Sequence, residues 1–419
     1  MPRETVPHAQ AFAPEDHRLR PRGSSQGGLR QYNERVVLQA IRLHGALPAA
    51  EIARLTQLTA QTVSQITKRL LDDGLLVKGE PVRGKVGQPS VPLALAPEGA
   101  YAIGIKVGRR SLDVLLVDFT GAACQRASVA YDYPEPEAVT AAIDAHLREM
   151  RQGLGAGRRE RLQGIGLAAP LSLGGWQTLL GVESERARAW DRVDLPERVA
   201  AMSGLPVTFV KDTAAACVAE LVAGRGRNVR SFLYVFVDTF IGGGLVLDSH
   251  LRGGLSGNAG AVGSLAMGRA RPGGPPPPQL LSVASLFTLE TMYRAAGLDP
   301  VATVDACAMQ PPWLACTQAW LDEAAPAIAL ALHDAACLLD LEGVIIDGQF
   351  SRELLAALLA AVESACRDLS WEGVRRPAVL PGTIGPDARA LGGALLPLHA
   401  NFAPDRDLFL KLEAPAAKL

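Results

Sequence analysis

Two hydrophobic rhythms divide this chain. Between Val36 and Leu93 apolar residues recur at helical spacing: Val36, Val37, Ala40 and Ile41 share one face, and Gly45 follows as a C-terminal cap. Pro48 opens a short second helix carrying Ile52 and Leu55, because proline is tolerated in a first helical turn. Thr56-Gln57-Leu58 makes a turn, and the Thr59 hydroxyl caps a third helix. There Val63, Ile66 and Leu70 point inward, leaving Gln61, Thr62, Ser64, Gln65, Lys68 and Arg69 outward. Gly74 ends that helix. Leu75–Val77 and Val91–Leu93 then bracket a polar stretch over 78–90 as two strands bracket a wing. The order predicts a winged helix-turn-helix over residues 29–95, rather than an ordinary helical hairpin with a solvated face. Gln57 stands where such turns often carry glycine, and left-handed backbone there costs roughly 1 kcal/mol relative to glycine.

From Tyr101 the rhythm changes to strands with intervening helices. Tyr101–Gly108 reads as a strand and turn, with Ser111–Asp118 as its hairpin partner. Gly164–Pro170, Val207–Val210, Phe232–Val237 and Val344–Gly348 are further buried strands, and Ala138–Met150 and Ala324–Leu341 are helical. That alternation predicts a two-lobed α/β body with a cleft. Residues 1–28, rich in Pro, Arg, Gly and Ser without periodicity, are expected to be a disordered tail. Pro275–Pro278 are expected to form an exposed extended loop.

Charge sharpens the division. Residues 1–95 hold 13 Lys/Arg against 8 Asp/Glu, a net of +5, whereas the rest of the 419 residues carries a net of −6. A basic module on an acidic body is an electrostatic footprint for DNA, and hydroxyls, amides and cations are what reach phosphates and base edges in a major groove. The candidate DNA-reading residues are Gln61, Thr62, Ser64, Gln65 and Lys68 on the third helix. No apolar run approaches the ~20 residues of a membrane span, and no signal-peptide core is visible, so a cytoplasmic location is expected. Six scattered cysteines read as small buried hydrophobes, and seven dispersed histidines offer no metal constellation.

Five segments together resemble the ROK family, which groups sugar-responsive repressors with bacterial sugar kinases. They are Gly164–Pro170, Lys211–Glu220, Ile241–Gly244, Gly253–Ser264 and Ile384–Ala394. The resemblance runs from about Leu29 to the C-terminus. It implies an α/β fold in which the winged helix-turn-helix precedes a two-lobed, actin/hexokinase-like (ribonuclease H-like) ATPase fold over 96–419. Lobe one would span about 96–210 plus a C-terminal helix, and lobe two about 211–385. It also places a wing tip at Gly87-Gln88-Pro89 in the minor groove, with Gln88 where arginine is usual and Arg83 and Lys85 supplying charge.

The resemblance also exposes departures. Where the family's first phosphate loop reads roughly D-x-G-G-T, this chain has Lys106-Val-Gly-Arg-Arg110; lysine cannot support Mg²⁺ coordination, and two arginines would crowd a backbone cradle. Where kinases have G-T-G-I-G-G-G, Asp238 and Phe240 replace glycines, and a later glycine pair becomes Asp347-Gly348. Three such changes in one nucleotide site are expected to abolish ATP use. Asp212 aligns with the catalytic aspartate but equally serves to accept hydrogen bonds from a ligand or to form a structural pair. Lys211 stands where asparagine is usual, Ala261 and Ser264 replace the sugar-gripping Glu and zinc-binding His, and the family's cysteine cluster is absent. No catalytic residue, metal or cofactor is therefore expected. The effector-binding candidates are Lys211, Asp212, Thr213, Asn258 and Ser264, for a sugar or sugar derivative that Lys211 would bias toward acidic forms. Against this, Lys211 could be half of a rim salt bridge, and an effector-free regulator is the other reading. The expected function is a DNA-binding regulator, a repressor of carbohydrate-related genes. It would act on duplex DNA as a homodimer or higher homo-oligomer, since one helix-turn-helix covers only a half-site. The alternatives are a sugar kinase with an appended DNA-binding domain and a regulator acting purely through protein contacts.

Overall fold

The computed structural model describes residues 26–81, 91–175 and 177–405. Helix α1 spans Gln26–His44, so it begins inside the segment expected to be a tail; α2 is Ala49–Thr56 and α3 is Ala60–Asp72. Local chemistry sets these boundaries. Gly45 leaves α1 at φ +80°, and Gln57 leaves α2 left-handed at φ 56°. Thr59 caps α3, its hydroxyl accepting from the Thr62 amide at 3.2 Å. A three-stranded sheet, ordered β1 (Leu47–Pro48), β3 (Pro92–Leu95), β2 (Leu76–Lys78), closes the module.

The body holds two five-stranded sheets of the same plan. The first runs β6 (Ala123–Ala130), β5 (Ser111–Asp118), β4 (Tyr101–Val107), β7 (Leu162–Ala169), β8 (Val207–Lys211). The second runs β11 (His250–Arg252), β10 (Gly242–Leu247), β9 (Phe232–Val237), β12 (Gly343–Gly348), β13 (Ala378–Pro381). In each the first three strands pair antiparallel and the last two join in parallel. Pro275–Pro278 lie in a largely exposed loop, as expected. The cysteines divide: Cys217 and Cys366 are the small buried hydrophobes expected, whereas Cys307 and Cys316 are half-buried and Cys124 and Cys337 are exposed.

Two helices lie between the sheets. The Asp212–Ala223 helix leaves β8, and the Ala388–Phe402 helix packs on it and on β4 and β7. Their approach is backbone to backbone. A Cβ on Gly104 would overlap the Ala390 carbonyl oxygen, one on Gly166 that of Gly393, and one on Gly392 that of Ala215. Only hydrogen fits at those contacts.

The Ala388–Phe402 helix also reaches the N-terminal module. One apolar cluster joins Val37, Ile41, Ile52, Val63, Ile66 and Leu70 to Ala102, Leu115, Phe119, Ala390, Ala394 and Leu398. Phe119 meets the Phe402 ring edge-on at 4.7 Å and carries the Arg42 guanidinium over its face at 5.1 Å. Burial pulls Arg42 down to about 10. Polar ties reinforce the joint: Arg161 donates to the Asp73 and Gly74 carbonyls at 3.4 Å, and Arg227 to the Leu43 carbonyl at 2.9 Å.

Candidate functional site

Two surfaces carry the candidate chemistry. On α3, Val63, Ile66 and Leu70 are buried while Gln61, Ser64, Gln65 and Lys68 are exposed, so the helical period separates core from solvent as read. Thr62 is half-buried and shares a 2.8 Å hydrogen bond with the Thr59 hydroxyl, so part of its polarity is used within the cap. Arg69, read as outward, turns back instead to pair with Glu34 on α1 at 3.0 Å. Arg83, Lys85 and Gln88 lie outside the described residues.

The second surface is a cleft of about 230 Å³ between the lobes, and its lining brings together Lys211, Asp212, Thr213, Asn258 and Ser264. The strand-to-helix turn after β8 presents Lys211 and Asp212 side by side. One Asp212 oxygen accepts from the Thr213 amide at 2.8 Å. The Thr213 hydroxyl donates to the Gly243 carbonyl at 2.8 Å, which commits its proton to the fold. Asn258 and Ser264 are exposed at the mouth. Among the described residues the Lys211 ammonium has no hydrogen-bond or ion-pair partner, and burial pushes it below the usual lysine range with Asp212 opposing.

The departures around the cleft form contacts rather than gaps. Lys106, 3% exposed, donates to Ser111 at 2.5 Å and to Asp113 at 2.7 Å. Its side chain curls across Gly108, where a Cβ would meet Lys106 Nζ at 2.8 Å, so the first loop is filled from within. Arg109, expected from sequence to crowd a backbone cradle, does not do so. It spans the cleft to stack over Phe240 at 5.0 Å and donates to the Gly175 carbonyl at 3.0 Å and those of Ser172 and Leu173 at 3.3 Å. Asp347 is the correction. It lines neither this cleft nor its neighbour, but turns into the next loop, accepting from the Gly385 amide at 2.7 Å and from Arg352 at 3.1 Å. The three replacements therefore do not converge on one site.

Sequence reasoning missed Arg389. Only 2% exposed, it pairs with Asp238, donates to Gln349 at 3.1 Å, and stands 3.9 Å from Asp212. Burial disfavours its charge, but Asp238, Asp212 and Asp113 outweigh that and raise its pKa; Asp238 is held below the usual carboxylate range, with Arg389 and Lys106 overcoming burial. A signal was available: one arginine in a helix otherwise rich in alanine, glycine and leucine. Arg389, Asp238 and Thr239 also line a second cavity of about 360 Å³, shared with Lys106, Arg110 and Glu290. The buried ion pair is thus a common wall between two cavities.

Comparison with known proteins agrees with this architecture. The ROK family model matches residues 102–399, and the MarR family model matches residues 31–85. An uncharacterized protein of Sinorhizobium fredii is 24% identical over 373 residues, covering 88% of this chain and 91% of that one. The xylose repressor of Bacillus subtilis is 23% identical over 248 residues, covering 58% of this chain and 62% of the repressor. The DNA-binding transcriptional repressor Mlc of Escherichia coli is 24% identical over 230 residues, or 53% of this chain and 55% of Mlc. The match to either named repressor therefore spans less than two thirds of its length. Among solved structures, a ROK family transcriptional regulator homologous to Escherichia coli Mlc superposes with a TM-score of 0.65 at 20% identity, covering 90% of this chain and 97% of that one. A ROK family glucokinase from Streptomyces griseus, solved with glucose and AMPPNP, gives 0.56 at 22% identity over 71% of this chain and 99% of the glucokinase. With its family model matched across both lobes, this chain belongs to the ROK family.

Proposed function

We propose that this protein is a cytoplasmic, DNA-binding transcriptional regulator, a repressor of carbohydrate-related genes, whose kinase-like body senses a small polar molecule instead of phosphorylating it. One observation carries the reading: an exposed polar helix face shares a continuous core with a body in which the Lys106–Asp113 pair fills the first phosphate loop. Gln61, Ser64, Gln65 and Lys68 would meet the major groove, with Thr62 at the helix start and Arg83, Lys85 and Gln88 on the wing. The protein would act as a homodimer, doubling the half-site contacts. Lys211, Asp212, Asn258 and Ser264 would hold the effector, while Thr213, whose hydroxyl proton is committed, would accept only.

Coupling between the surfaces would run along the Ala388–Phe402 helix, which carries Arg389 in the cleft wall and Leu398 in the shared core. A ligand shifts DNA affinity only as far as it prefers one lobe arrangement over the other. The kinase alternative rests on Asp212, whose carboxylate faces the cleft as a general base would. Two assays decide. Purified protein should bind duplex from its own upstream region in preference to unrelated duplex, and with ATP, Mg²⁺ and a panel of hexoses it should give only background turnover. Equal affinity for all duplexes would remove the regulator reading. Turnover abolished by Asp212→Asn would establish the kinase.

A further inference from the structure

The cleft lining holds three cations, Arg109, Lys211 and Arg389, against two carboxylates, Asp212 and Asp238. Arg389 and Asp238 neutralise each other in their buried pair. Arg109 is satisfied by three backbone carbonyls and the Phe240 ring, which take up its donors without cancelling its charge. Asp212 can balance only one of the two cations left, so the lining carries one uncompensated positive charge. A largely desolvated charge without a partner costs free energy that a counter-ion recovers. Lys211 is where that counter-ion is missing, since its ammonium is the one cation of the cleft without a partner among the described residues. The mouth has a different character: Asn258 and Ser264 offer neutral hydrogen-bonding groups, and the second Asp212 oxygen, 3.9 Å from Arg389, has lone pairs to accept from hydroxyls.

From this arrangement we infer that the cleft takes a monoanionic polyol, a small hydroxylated molecule bearing one carboxylate, with the carboxylate on Lys211 and hydroxyls on Asp212, Asn258 and Ser264. The charge balance selects carboxylate over phosphate. A phosphate monoester brings about −1.5 to −2 at neutral pH, more than the single surplus charge neutralises, and sets the remainder against Asp212. The Arg389–Asp238 wall closes the far end, so the ligand is held beside the second cavity without reaching it. This inference rests on the reading of the body as a sensor, and it names the class of molecule sensed.

Calorimetry on the full chain tests it with probes of one skeleton: glucose, gluconate, glucuronate and glucose 6-phosphate, with acetate as a carboxylate lacking hydroxyls. A sugar acid should bind about tenfold or more tightly than glucose, the scale of one charge-assisted hydrogen bond. Lys211→Met should collapse that preference, and its ligand-free form should melt at a higher temperature because a stranded charge is gone. Tightest binding by glucose or glucose 6-phosphate, acetate matching the sugar acids, no binding by any probe, or a preference that survives Lys211→Met would each overturn the inference. If Lys211→Met fails to fold, the wild-type ranking alone decides, and Lys211→Gln repeats the test. Operator binding measured on the same samples separates the two ideas: selective DNA binding with no sugar-acid preference sinks only this inference, whereas loss of selective DNA binding sinks the regulator reading.

Discussion

The outer face of α3 and the interlobe cleft are both polar, yet they satisfy their polar groups in opposite ways. On α3, Gln61, Ser64, Gln65 and Lys68 meet water along a rigid helix, anchored from behind by Val63, Ile66 and Leu70. In the cleft and its walls the charges meet one another: Lys106 with Asp113 in the adjoining loop, Arg389 with Asp238, and Arg109 with carbonyls and an aromatic ring. The first arrangement leaves binding capacity open to a large charged surface. The second has committed nearly all of it to the fold and leaves one small opening at Lys211. Exposed charges are screened by salt, whereas buried ones are screened far less.

That contrast predicts its largest effect in a salt titration. Operator affinity should fall by about 10³-fold between 50 and 200 mM salt if roughly six phosphates are contacted, while sugar-acid affinity in the cleft should change by only about threefold or less. Parallel slopes for the two ligands would erase the distinction. The next effect is on stability. Arg389→Met should cost roughly 3–5 kcal/mol in denaturant unfolding, because it strands the buried carboxylate of Asp238. Asp238 titrates below its ordinary 3.8 when folded, so its contribution is complete above that value and is lost as pH falls through the depressed one. Asp238→Asn should therefore flatten the acid limb of the stability curve, and an unchanged limb would assign that loss to other carboxylates. The smallest effect belongs to α3: Gln65→Ala should leave stability almost untouched, since alanine favours helix. It should relax discrimination at one base pair by about tenfold, read from affinities for single-position operator variants.

The same contrast explains what the sequence disclosed. The N-terminal module was legible because its determinants are local: Gly45, Gln57 and Thr59 each fix a boundary through their own backbone or hydroxyl. Apolar runs such as Phe232–Val237 announced buried strands. Strand β6 escaped because Ala123–Ala130 is an edge strand with few large apolar residues, and β10 because Gly242–Leu247 reads as a glycine loop. In the cleft, position was legible and pairing was not. Lys211, Asp212, Thr213, Asn258 and Ser264 do line one cavity. Arg109 and Phe240 lie far apart in sequence, and no periodicity says that two residues read as damage will stack on each other. Arg389 was missed for a related reason, because its three carboxylate neighbours come from β5, the turn after β9 and the helix after β8.

The glycine seats beneath the Ala388–Phe402 helix have a mechanical consequence. Side chains between packed elements act as cushions that can repack when one element shifts; at Gly104, Gly166 and Gly392 there is no cushion. On the proposed coupling, a displacement at Arg389 would find no cushion at those seats and would emerge about 20 Å further along, where Phe402 bears on Phe119. Transmission along this shaft depends on three missing methyl groups, so its fidelity should be most vulnerable at residues that touch neither DNA nor ligand.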